Sequence, residues 1–406
     1  MDRTILHSDI NSCYASIERL YDPTLVGKPI AVCGDAELRH GIILSKDELA
    51  KAAGVKTGEA IWQAKQKCPE LIPVAAHYDR YVKYSHLLRQ IYGEYTDLCE
   101  PYGLDECWLD ITGCVACPDG ERTAHEIRER VRRETGLTVS VGVSWNKILA
   151  KLGSDYKKPD AVTVIGRDNF RDLVWPLPAS DLLMVGRSTA ATLRRLGIRT
   201  IGDLAMTDEM ILRSRLGKAG SMLHAYANGL DGSRVRRFDE REPPKSIGNS
   251  TTTPHDIGSF EAARPVLLLL AESVGARLRG EGFRCRTVEI SLRTTDLEWS
   301  SHRLRLRDAT DVTQELYEYG QQLLRESHEF PTPLRSMGLR ALELVNADAD
   351  EQIDIFMDYV NKEKQQRLDA AMDNIRRKYG NASIQRAAVF GATPENFGFC
   401  TLPGGV

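Results

Sequence analysis

Three carboxylate residues, Asp9, Asp105 and Glu106, are the part of this sequence best suited to chemistry. Asp9 lies at the end of a predicted strand, and Asp105 and Glu106 occupy the turn of a predicted hairpin. If neighbouring strands bring the three together, their charges repel one another, and the cluster is stable only with cations between the carboxylates. Hard oxygen ligands suit Mg²⁺, and two such ions about 4 Å apart promote in-line phosphoryl transfer.

The same residues also have an ordinary structural explanation. Asp9 could cap the helix that follows it, and Asp105 with Glu106 could form a solvated turn. Spacing alone slightly favours this explanation over a metal site. The context favours the metal site, because Asp105 and Glu106 interrupt a segment, 104–109, in which an ordinary strand would carry apolar residues.

The elements expected to position the carboxylates follow a β-α-β-β-α-β order. Alternation and helical spacing predict strands at 4–10, 98–102, 107–111, 138–143 and 161–164, and helices at 12–21, 81–96, 121–134 and 146–156. In a ferredoxin-like sheet the first and third strands are neighbours, which would bring Asp9 close to Asp105 and Glu106. Residues 23–77 are then an insertion. Its predicted elements are a short strand at 29–33 and helices at 46–53 and 59–67.

Composition limits the class of protein. The 406 residues suggest about two to four domains, and 54 basic against 57 acidic side chains exclude a uniformly basic nucleic-acid coat but not a local basic face. The longest apolar run, 266–271, is too short to cross a membrane, and the N-terminal residues lack a signal-peptide pattern. Nine cysteines without framework spacing are typical of reduced thiols, so a cytoplasmic protein without membrane contact is expected.

The second half of the sequence divides into four regions. Residues 175–232 predict short helices separated by glycines. Segment 233–245 is charged, contains two prolines and is interpreted as a tether between domains. Residues 246–346 are rich in strand patterns, and 347–406 form a polar tail with one predicted helix at 361–379.

Three segments resemble motifs of the Y-family translesion DNA polymerases, in particular those of the bacterial DNA polymerase IV type. They are HSDINSCYASIE at 7–18, GLDECWLD at 103–110 and SVGVSWNKILAK at 140–151. Lys158-Pro159 and the sequence KSIG at 245–248 also match. The resemblance extends in order, with the expected spacing, over residues 1 to about 345.

The resemblance implies an α+β multidomain architecture. A ferredoxin-like βαββαβ palm would carry inserted fingers and be followed by a small helical helix-hairpin-helix thumb and a separate α/β little-finger domain. The expected boundaries are 1–22 and 78–174 for the palm, 23–77 for the fingers, 175–232 for the thumb, 233–245 for the linker, 246–346 for the little finger and 347–406 for the tail.

The resemblance also implies an activity. It is that of a template-directed, translesion-type DNA polymerase with low fidelity and no proofreading, acting in DNA damage tolerance. Asp9 and Asp105, with the backbone carbonyl of Ile10, would hold two Mg²⁺ ions, for which Mn²⁺ could substitute. Glu106 would complete the site around the primer 3′-hydroxyl, whose pKa the metal lowers, so that no histidine base is needed.

Nucleotide binding is expected where residues match family positions. Tyr14 resembles the steric gate, whose ring occupies the space of a ribose 2′-hydroxyl, although it could instead be a core aromatic residue. Lys158 matches a lysine that contacts the triphosphate. Ser45 and Lys51 occupy the positions of a hydroxyl and a basic residue in the inserted fingers.

The sequence departs from the family pattern at three positions. Glu48 and Lys51 replace the usual tyrosine and arginine, and lysine cannot make the bidentate contact of arginine. Asn11 replaces a common aspartate that is not a metal ligand in the family, so catalysis should survive. Lys147 and Lys151 are expected to be packing and solvated-face residues, with contact to DNA as the alternative.

Two further sets of residues are expected to bind the DNA backbone. Segment 183–198 resembles a helix-hairpin-helix, in which N–H groups near Gly186, Arg187 and Ser188 would hold a phosphate. The alternative there is a plain helical connector. In the little finger, the expected contacts are Arg293, Arg303, Arg305 and Arg307, for which a solvated sheet face is the alternative.

Residues 352–356, QIDIF, resemble the peptide with which bacterial polymerases bind the sliding clamp. Gln352 followed by the apolar Ile355 and Phe356 would suit a hydrophobic pocket. An amphipathic turn packed on the chain's own surface is the alternative. The expected partners are therefore primer-template DNA, deoxynucleoside triphosphates and the clamp, all bound by a monomer.

Two other classes of function compete with a polymerase. A non-catalytic DNA-binding accessory protein could use the same scaffold, but it would not need the intact trio of Asp9, Asp105 and Glu106. Another palm-type two-metal enzyme, such as a nucleotidyl cyclase, would keep the trio but has no use for a helix-hairpin-helix or a basic sheet face.

Overall fold

The computed structural model describes residues 2–35, 41–117, 119–240, 242–348 and 359–389. The chain divides into two units, one formed by Met1–Val32 and Ile43–Arg241 and the other mainly by Glu242–Gly405. Within the described residues, no helix is both long and apolar enough to cross a membrane.

The chain up to residue 240 contains two sheets and a series of helices. The strands are, in chain order, β1 (Ile5–Ile10), β2 (Ile30–Cys33), β3 (Ile43–Lys46), β4 (Ile72–Ala75), β5 (Cys99–Tyr102), β6 (Glu106–Asp110), β7 (Val139–Ser144) and β8 (Val162–Val164). The helices are α1 (Cys13–Tyr21), α2 (Glu48–Ala52), α3 (Ile61–Lys67), α4 (Tyr78–Gly93), α5 (Gly120–Thr135), α6 (Lys147–Tyr156), α7 (Phe170–Val174), α8 (Arg187–Arg195), α9 (Ile201–Met206), α10 (Glu209–Leu216) and α11 (Lys218–Ala227).

A five-stranded sheet in the order β5-β6-β1-β7-β8 positions the carboxylates. β1 is antiparallel to both β6 and β7, and Asp9 is directly opposite Glu106 in the β1–β6 ladder. The order β5-β6-β1-β7 is that of the predicted ferredoxin-like sheet, which is confirmed, and β8 adds a fifth strand parallel to β7. Every residue of β1 is buried, which explains why its apolar–polar alternation is weak.

Helix α6 packs unusually close to this sheet at Gly142 on β7. A Cβ atom at Gly142 would lie 1.9 Å from the carbonyl oxygen of Ala150 and 2.4 Å from the amide nitrogen of Ser154. The missing side chain therefore permits the close approach. Gly142 is opposite His7 in the β1–β7 ladder, and Oγ of Ser154 lies 2.8 Å from Nδ1 of His7. The close packing thus brings α6 side chains close to β1.

The insertion between α1 and α4 forms a three-stranded sheet in the order β3-β2-β4, together with α2 and α3. The predicted helix over 46–53 is wrong at its start, because Lys46 ends β3 and the helix begins at Glu48. Asp47 separates the two elements, and its Oδ1 caps α2 by accepting a hydrogen bond from the amide of Ala50 at 2.8 Å. β3 and β4 were not predicted, since four-residue strands show little alternation.

Helices α8 to α11 form the helical region expected within 175–232. Their shared core includes Leu193, Ile201, Leu212 and Leu223, all buried. As predicted, the chain passes from the α/β sheet to a region of short helices. α7 is the last helix before that region.

The start of segment 233–245, which was interpreted as a tether between domains, is packed within the first unit. Val235 is 1% exposed and is buried in a cluster with Trp108. The buried carboxylate of Glu100 accepts hydrogen bonds from the backbone nitrogen and the guanidinium of Arg236, at 3.0 and 2.9 Å. An apolar side chain and a buried carboxylate thus attach the start of this charged segment to the first unit.

The second unit is an antiparallel sheet with helices, in the strand order β11-β10-β12-β9. Its elements are β9 (Ser246–Ile257), α12 (Phe260–Glu281), β10 (Phe283–Thr294), β11 (Trp299–Thr310), α13 (Thr313–Ser327), β12 (Leu334–Asn346) and α14 (Tyr359–Tyr379). Val288, Ile290 and Leu306 are buried, as alternation predicts. α12 was not predicted, because its run 266–271 is buried all round and shows no single apolar stripe.

The helix predicted in the tail is α14, and buried ion pairs attach it to the second unit. Asp369 is 2% exposed and accepts a hydrogen bond from the amide of Thr313 at 2.8 Å. Its carboxylate also pairs with Arg386 at 2.8 Å and with Arg279 at 3.3 Å. This part of the tail is therefore packed structure and not a free polar extension.

Candidate active site

The residues expected to hold metal and nucleotide line one cleft of about 360 Å³ in the first unit. Its lining residues are Asp9, Ile10, Asn11, Ser12, Cys13, Tyr14, Leu44, Ser45, Lys46, Glu48, Lys51, Thr57, Asp105, Glu106 and Lys158. Every residue predicted to contact a metal ion or the nucleotide is among them. The fold therefore brings together residues that are up to 149 positions apart in the sequence, Asp9 and Lys158 being the extremes.

Three carboxylates meet at one end of β1 and β6. Asp9 is 5% exposed, and the amide of Ile10 donates a hydrogen bond to the carbonyl oxygen of Asp105 at 3.0 Å. Burial raises the pKa of Asp9 to about 7, although the charge of Lys158 acts in the opposite direction. Burial and the charge of Glu106 also raise the pKa of Asp105. The site therefore contains more negative charge than its surroundings fully stabilise.

The neighbours of Glu106 keep this carboxylate charged. Burial opposes its ionisation, but the contact with His7 and the charge of Lys151 outweigh burial and lower the pKa of Glu106 to about 2. Nε2 of His7 lies 3.2 Å from Oε2 of Glu106, and Nζ of Lys151 lies 2.6 Å from the same oxygen. Burial lowers the pKa of His7 to about 4, so that it contacts Glu106 as a neutral imidazole.

Two lysines supply the positive charge of this cluster. Nζ of Lys158 lies 2.6 Å from Asp9 Oδ2 and 2.7 Å from Asp155 Oδ1. Nζ of Lys151 lies 3.9 Å from Asp9 Oδ2, in addition to its contact with Glu106. Of the two environments expected for Lys151, packing and a solvated face, the structure shows packing, since only 13% of its side chain is exposed.

The donor set suits a hard divalent cation. Carboxylate oxygens and the Ile10 carbonyl are ligands that Mg²⁺ prefers. In the parts of the chain that the structure describes, no three histidine, cysteine or acidic side chains are arranged so that they could hold a metal ion. Lysine ammonium groups lie against Glu106 and Asp9. The raised pKa values of Asp9 and Asp105 nevertheless indicate uncompensated buried charge, which a divalent ion would stabilise.

Comparison with known proteins decides the family. The sequence signature of the impB/mucB/samB family matches residues 8–155, and that of the impB/mucB/samB family C-terminal domain matches residues 244–355. DNA polymerase IV of Acetivibrio thermocellus is 46% identical over 387 residues, which are 95% of this chain and 97% of that protein. This chain belongs to the Y family of translesion DNA polymerases, in the DNA polymerase IV group. DNA polymerase IV 1 of Bacillus subtilis (strain 168) is 37% identical over 95% of this chain and 93% of that protein.

A Y-family DNA polymerase chimera of known structure has the same fold. It matches with a TM-score of 0.75 over 84% of this chain and 99% of that chain, at 24% sequence identity. The predicted α+β architecture with palm, fingers, thumb and little finger is therefore confirmed. Family membership also confirms a DNA-directed DNA polymerase over the two competing classes, an accessory protein and a nucleotidyl cyclase. Y-family polymerases depend on divalent metal ions.

On the α1 side of the cleft in this Y-family polymerase, Tyr14 packs against two other tyrosines. Its ring is stacked on that of Tyr81, with centroids 4.0 Å apart and planes 6° from parallel, and Tyr78 meets it edge-on at 6.0 Å. Burial raises the pKa of the Tyr81 phenol well above its usual value, so its hydroxyl remains a donor. Sequence analysis left a gate and a core aromatic as alternatives, and Tyr14 both packs on the core and lines the cleft.

The fingers contribute polar residues to the other wall of the cleft. Nζ of Lys51 lies 3.5 Å from Oε2 of Glu48, and Oγ of Ser12 donates to Oε1 of Glu48 at 3.2 Å. The glutamate that replaces the usual family tyrosine thus pairs with the lysine that replaces the usual arginine. Ser45 also lines this wall, as predicted.

Lys46 is a cleft residue that sequence analysis missed. Its Nζ donates to Oγ1 of Thr57 at 3.1 Å, and burial, followed by the charge of Lys51, lowers its pKa. The signal available in the sequence was a lysine directly after Ser45 at the end of an apolar run. That run was too short to be recognised as a strand, so the lysine was assigned to a helix instead.

Asn11 has a structural role at the end of β1. Its Nδ2 donates to Oγ1 of Thr138 at 3.1 Å, and its Oδ1 accepts a hydrogen bond from Oγ of Ser140 at 2.8 Å. Both amide atoms are therefore used to tie β1 to the start of β7. This agrees with the expectation that Asn11 is not a metal ligand.

The residues of the helical region that are expected to bind the DNA backbone lie at exposed positions. Gly186 precedes α8, whose first N–H groups have no side-chain cap, and Arg187 and Ser188 are exposed. This leaves the start of the helix accessible to an anion.

In the second unit, Arg303, Arg305 and Arg307 are exposed on β11. Arg303 pairs with Glu289, and Nε of Arg305 lies 3.6 Å from Glu343, so part of this positive charge is compensated within the sheet. Arg293 lies over the ring of Trp299 at 5.4 Å. The clamp residues Gln352, Ile355 and Phe356 lie outside the described residues.

Proposed function

We propose that this enzyme extends the 3′-hydroxyl of a primer past damaged template bases by two-metal-ion phosphoryl transfer, with low fidelity and without proofreading. The observation that carries the proposal is the cleft in which Asp9, Asp105 and Glu106 meet Lys158 and Tyr14. These are carboxylates for cations, an ammonium group for the triphosphate and a ring beside the sugar. Membership of the Y family supports the same reaction.

Asp9, Asp105 and the Ile10 carbonyl would hold two Mg²⁺ ions, and Mn²⁺ should substitute because it takes the same hard oxygen ligands. Bound metal lowers the pKa of the primer hydroxyl and neutralises charge on the phosphoryl group. Contact with His7 and the charge of Lys151 outweigh burial and lower the pKa of Glu106 to about 2, so this carboxylate is ionised at neutral pH and would be a further ligand.

The triphosphate would be bound by residues from both walls of the cleft. Lys158 from the palm and Ser45, Lys46 and Lys51 from the fingers offer cations and a hydroxyl, which suit phosphate oxygens. Tyr14 excludes the ribose 2′-hydroxyl and so selects deoxynucleotides. No histidine base is needed, because bound metal would lower the pKa of the primer hydroxyl.

DNA binding is assigned to surfaces that read no bases. The helix start at Gly186, with Arg187 and Ser188, would hold one backbone phosphate. Arg293, Arg303, Arg305 and Arg307 would contact the duplex backbone. Gln352, Ile355 and Phe356 would bind the sliding clamp. The enzyme would act as a monomer in the cytoplasm, where primer-template DNA and the clamp are its partners.

A primer-extension assay with Mg²⁺ and all four deoxynucleotides tests this function. We expect template-directed extension on an undamaged template and continued extension opposite a lesion that blocks a replicative polymerase. An accessory protein would bind the duplex without extending it, and a cyclase would release a cyclic nucleotide without any primer. Failure to incorporate the template-directed nucleotide would overturn the proposal.

A further inference from the structure

We propose that Glu18 is a positioning residue for sugar selection, because it fixes the tyrosine on which the Tyr14 ring rests. The inference rests on the proposed role of Tyr14 as steric gate and extends it to a residue outside the cleft. Glu18 is absent from the cleft lining and is 2% exposed, so it acts on selection only through its neighbours.

Tyr14 and Glu18 lie on the same face of α1. They are four residues apart, which places their side chains one helical turn from each other. That face of α1 packs against the start of α4, which supplies the stacked Tyr81 and the edge-on Tyr78. The two helices thus meet through the gate residue and through the carboxylate one turn away.

The Glu18 carboxylate collects three donors from the start of α4. Its Oε1 accepts a hydrogen bond from the Tyr81 hydroxyl at 2.7 Å and lies 3.1 Å from Nδ1 of His77. Its Oε2 accepts a hydrogen bond from the guanidinium of Arg80 at 2.6 Å. All three donors come from residues 77–81, so one buried side chain fixes the first turn of α4 against α1.

The hydroxyl of Tyr81 is held from two sides. It donates to Glu18 and accepts a hydrogen bond from the amide of His77 at 3.1 Å. Tyr81 is fully buried, and its ring is parallel to that of Tyr14 at 4.0 Å. A tilt of the Tyr81 ring would therefore break both hydrogen bonds, and the stacked Tyr14 ring cannot retreat while Tyr81 is fixed.

This arrangement matters for selection because a steric gate works only if it resists displacement. A ring that can tilt makes room for a 2′-hydroxyl at a small cost in free energy. A ring backed by a fixed, parallel ring cannot tilt, so the 2′-hydroxyl meets the full steric repulsion. Correct deoxynucleotides do not press on the ring, so loosening the support should affect ribonucleotides selectively. A purely structural ion-pair cluster would instead change stability and leave the ratio of the two substrates unchanged.

The test compares Tyr81→Phe and Glu18→Gln with the wild-type enzyme. Tyr81→Phe keeps the stacked ring and removes only the hydroxyl, and Glu18→Gln keeps the shape and removes the charge that binds Arg80. For each, kcat/KM is measured for a deoxynucleotide and for the matching ribonucleotide opposite the same template base. We expect discrimination to fall about 10- to 100-fold in each variant, as loss of one hydrogen bond to a charged group would give, with deoxynucleotide kcat/KM within about twofold of wild type.

Glu100→Gln is the matched control. Glu100 is also a buried carboxylate with two cationic partners, Lys147 and Arg236, in the same unit, but it does not contact the tyrosines. We expect this control to lower the melting temperature and leave sugar discrimination at the wild-type value. If it lowered discrimination as much as Glu18→Gln does, the effect would be one of general destabilisation and the inference would be wrong.

Tyr14→Ala separates this inference from the gate assignment. If Tyr14→Ala retained full discrimination, the gate assignment itself would fail. If Tyr14→Ala lost discrimination while Tyr81→Phe and Glu18→Gln both kept it, only the positioning role of Glu18 would fail. Should Glu18→Gln not fold, Tyr81→Phe still decides the question, because it leaves the charges of Glu18 and Arg80 in place.

Discussion

Nζ of Lys158 lies 2.6 Å from Oδ2 of Asp9, so a lysine expected to bind the triphosphate is paired with a carboxylate expected to bind metal. The same lysine lies 2.7 Å from Asp155, and burial raises the pKa of Asp9 in spite of it. In this arrangement Lys158 compensates part of the charge that a divalent ion would otherwise compensate. Substrate binding would then exchange Asp9 for phosphate oxygens as the partner of Lys158.

The first prediction concerns this exchange. Lys158→Ala should raise the KM for deoxynucleotides about 10- to 100-fold, the loss expected for one charged hydrogen bond, and leave duplex affinity nearly unchanged. Lys158→Arg should recover part of the loss, since it keeps the charge. Single-nucleotide insertion over a range of triphosphate concentrations measures the effect, and an unaltered KM in Lys158→Ala would remove this residue from the triphosphate site.

The second prediction concerns the close contact between α6 and the sheet. Gly142→Ala should lower the free energy of unfolding by about 2–4 kcal/mol, because its Cβ would overlap the backbone of α6. Gly232→Ala is the control, since nothing lies within 4 Å of a Cβ atom at Gly232 and its φ is not left-handed. Urea unfolding measures both, and equal stability of the two variants would contradict the close packing.

Sequence analysis predicted which residues line the cleft more fully than it predicted their contacts. Asp9, Asp105 and Glu106 were placed at one sheet end by strand order alone, and the β1–β6 register agrees. Lys151 was expected only as a packing or solvated-face residue, and its contacts with Asp9 and Glu106 were not predicted. Its burial depends on Gly142, which lies on another element and only permits the close packing once the fold is formed.

The secondary structure was predicted least well where local patterns are short or uniform. β3 and β4 have four residues each, and α12 carries six consecutive buried apolar residues, so none of the three elements gives a clear periodicity. Segment 233–245 was interpreted as a tether from its charge and proline content alone. Its attachment depends on Val235 and on Glu100, which is distant in sequence, and no local pattern reports such a contact.

The third prediction tests the attachment of the tail. Asp369→Ala should lower the free energy of unfolding of the second unit by about 3–5 kcal/mol, because it removes the buried carboxylate that pairs with Arg279 and Arg386. Glu363→Ala, which breaks an exposed pair with Arg367 on the same helix, should change stability by less than about 1 kcal/mol. Thermal unfolding of both variants gives the comparison, and similar melting temperatures would show that α14 is only loosely attached.

The fourth prediction concerns the sliding clamp. Phe356→Ala should leave synthesis on short primers unchanged but abolish stimulation by the clamp, because tethering raises the local concentration of enzyme without altering the chemical step. Product length per binding event, with and without clamp, measures the effect. Equal loss of activity in both conditions would mean that the peptide is needed for folding and does not bind the clamp.

The central claim is that the carboxylates at the end of β1 and β6 hold metal for phosphoryl transfer and do not hold DNA. Its most direct test is single-turnover nucleotide insertion by Glu106→Gln, measured together with duplex affinity and with Glu100→Gln as a buried-carboxylate control. We predict that Glu106→Gln lowers the insertion rate at least about a hundredfold, a loss of several kcal/mol of transition-state stabilisation, at unchanged duplex affinity. Insertion by Glu106→Gln at the rate of the Glu100→Gln control would contradict the claim.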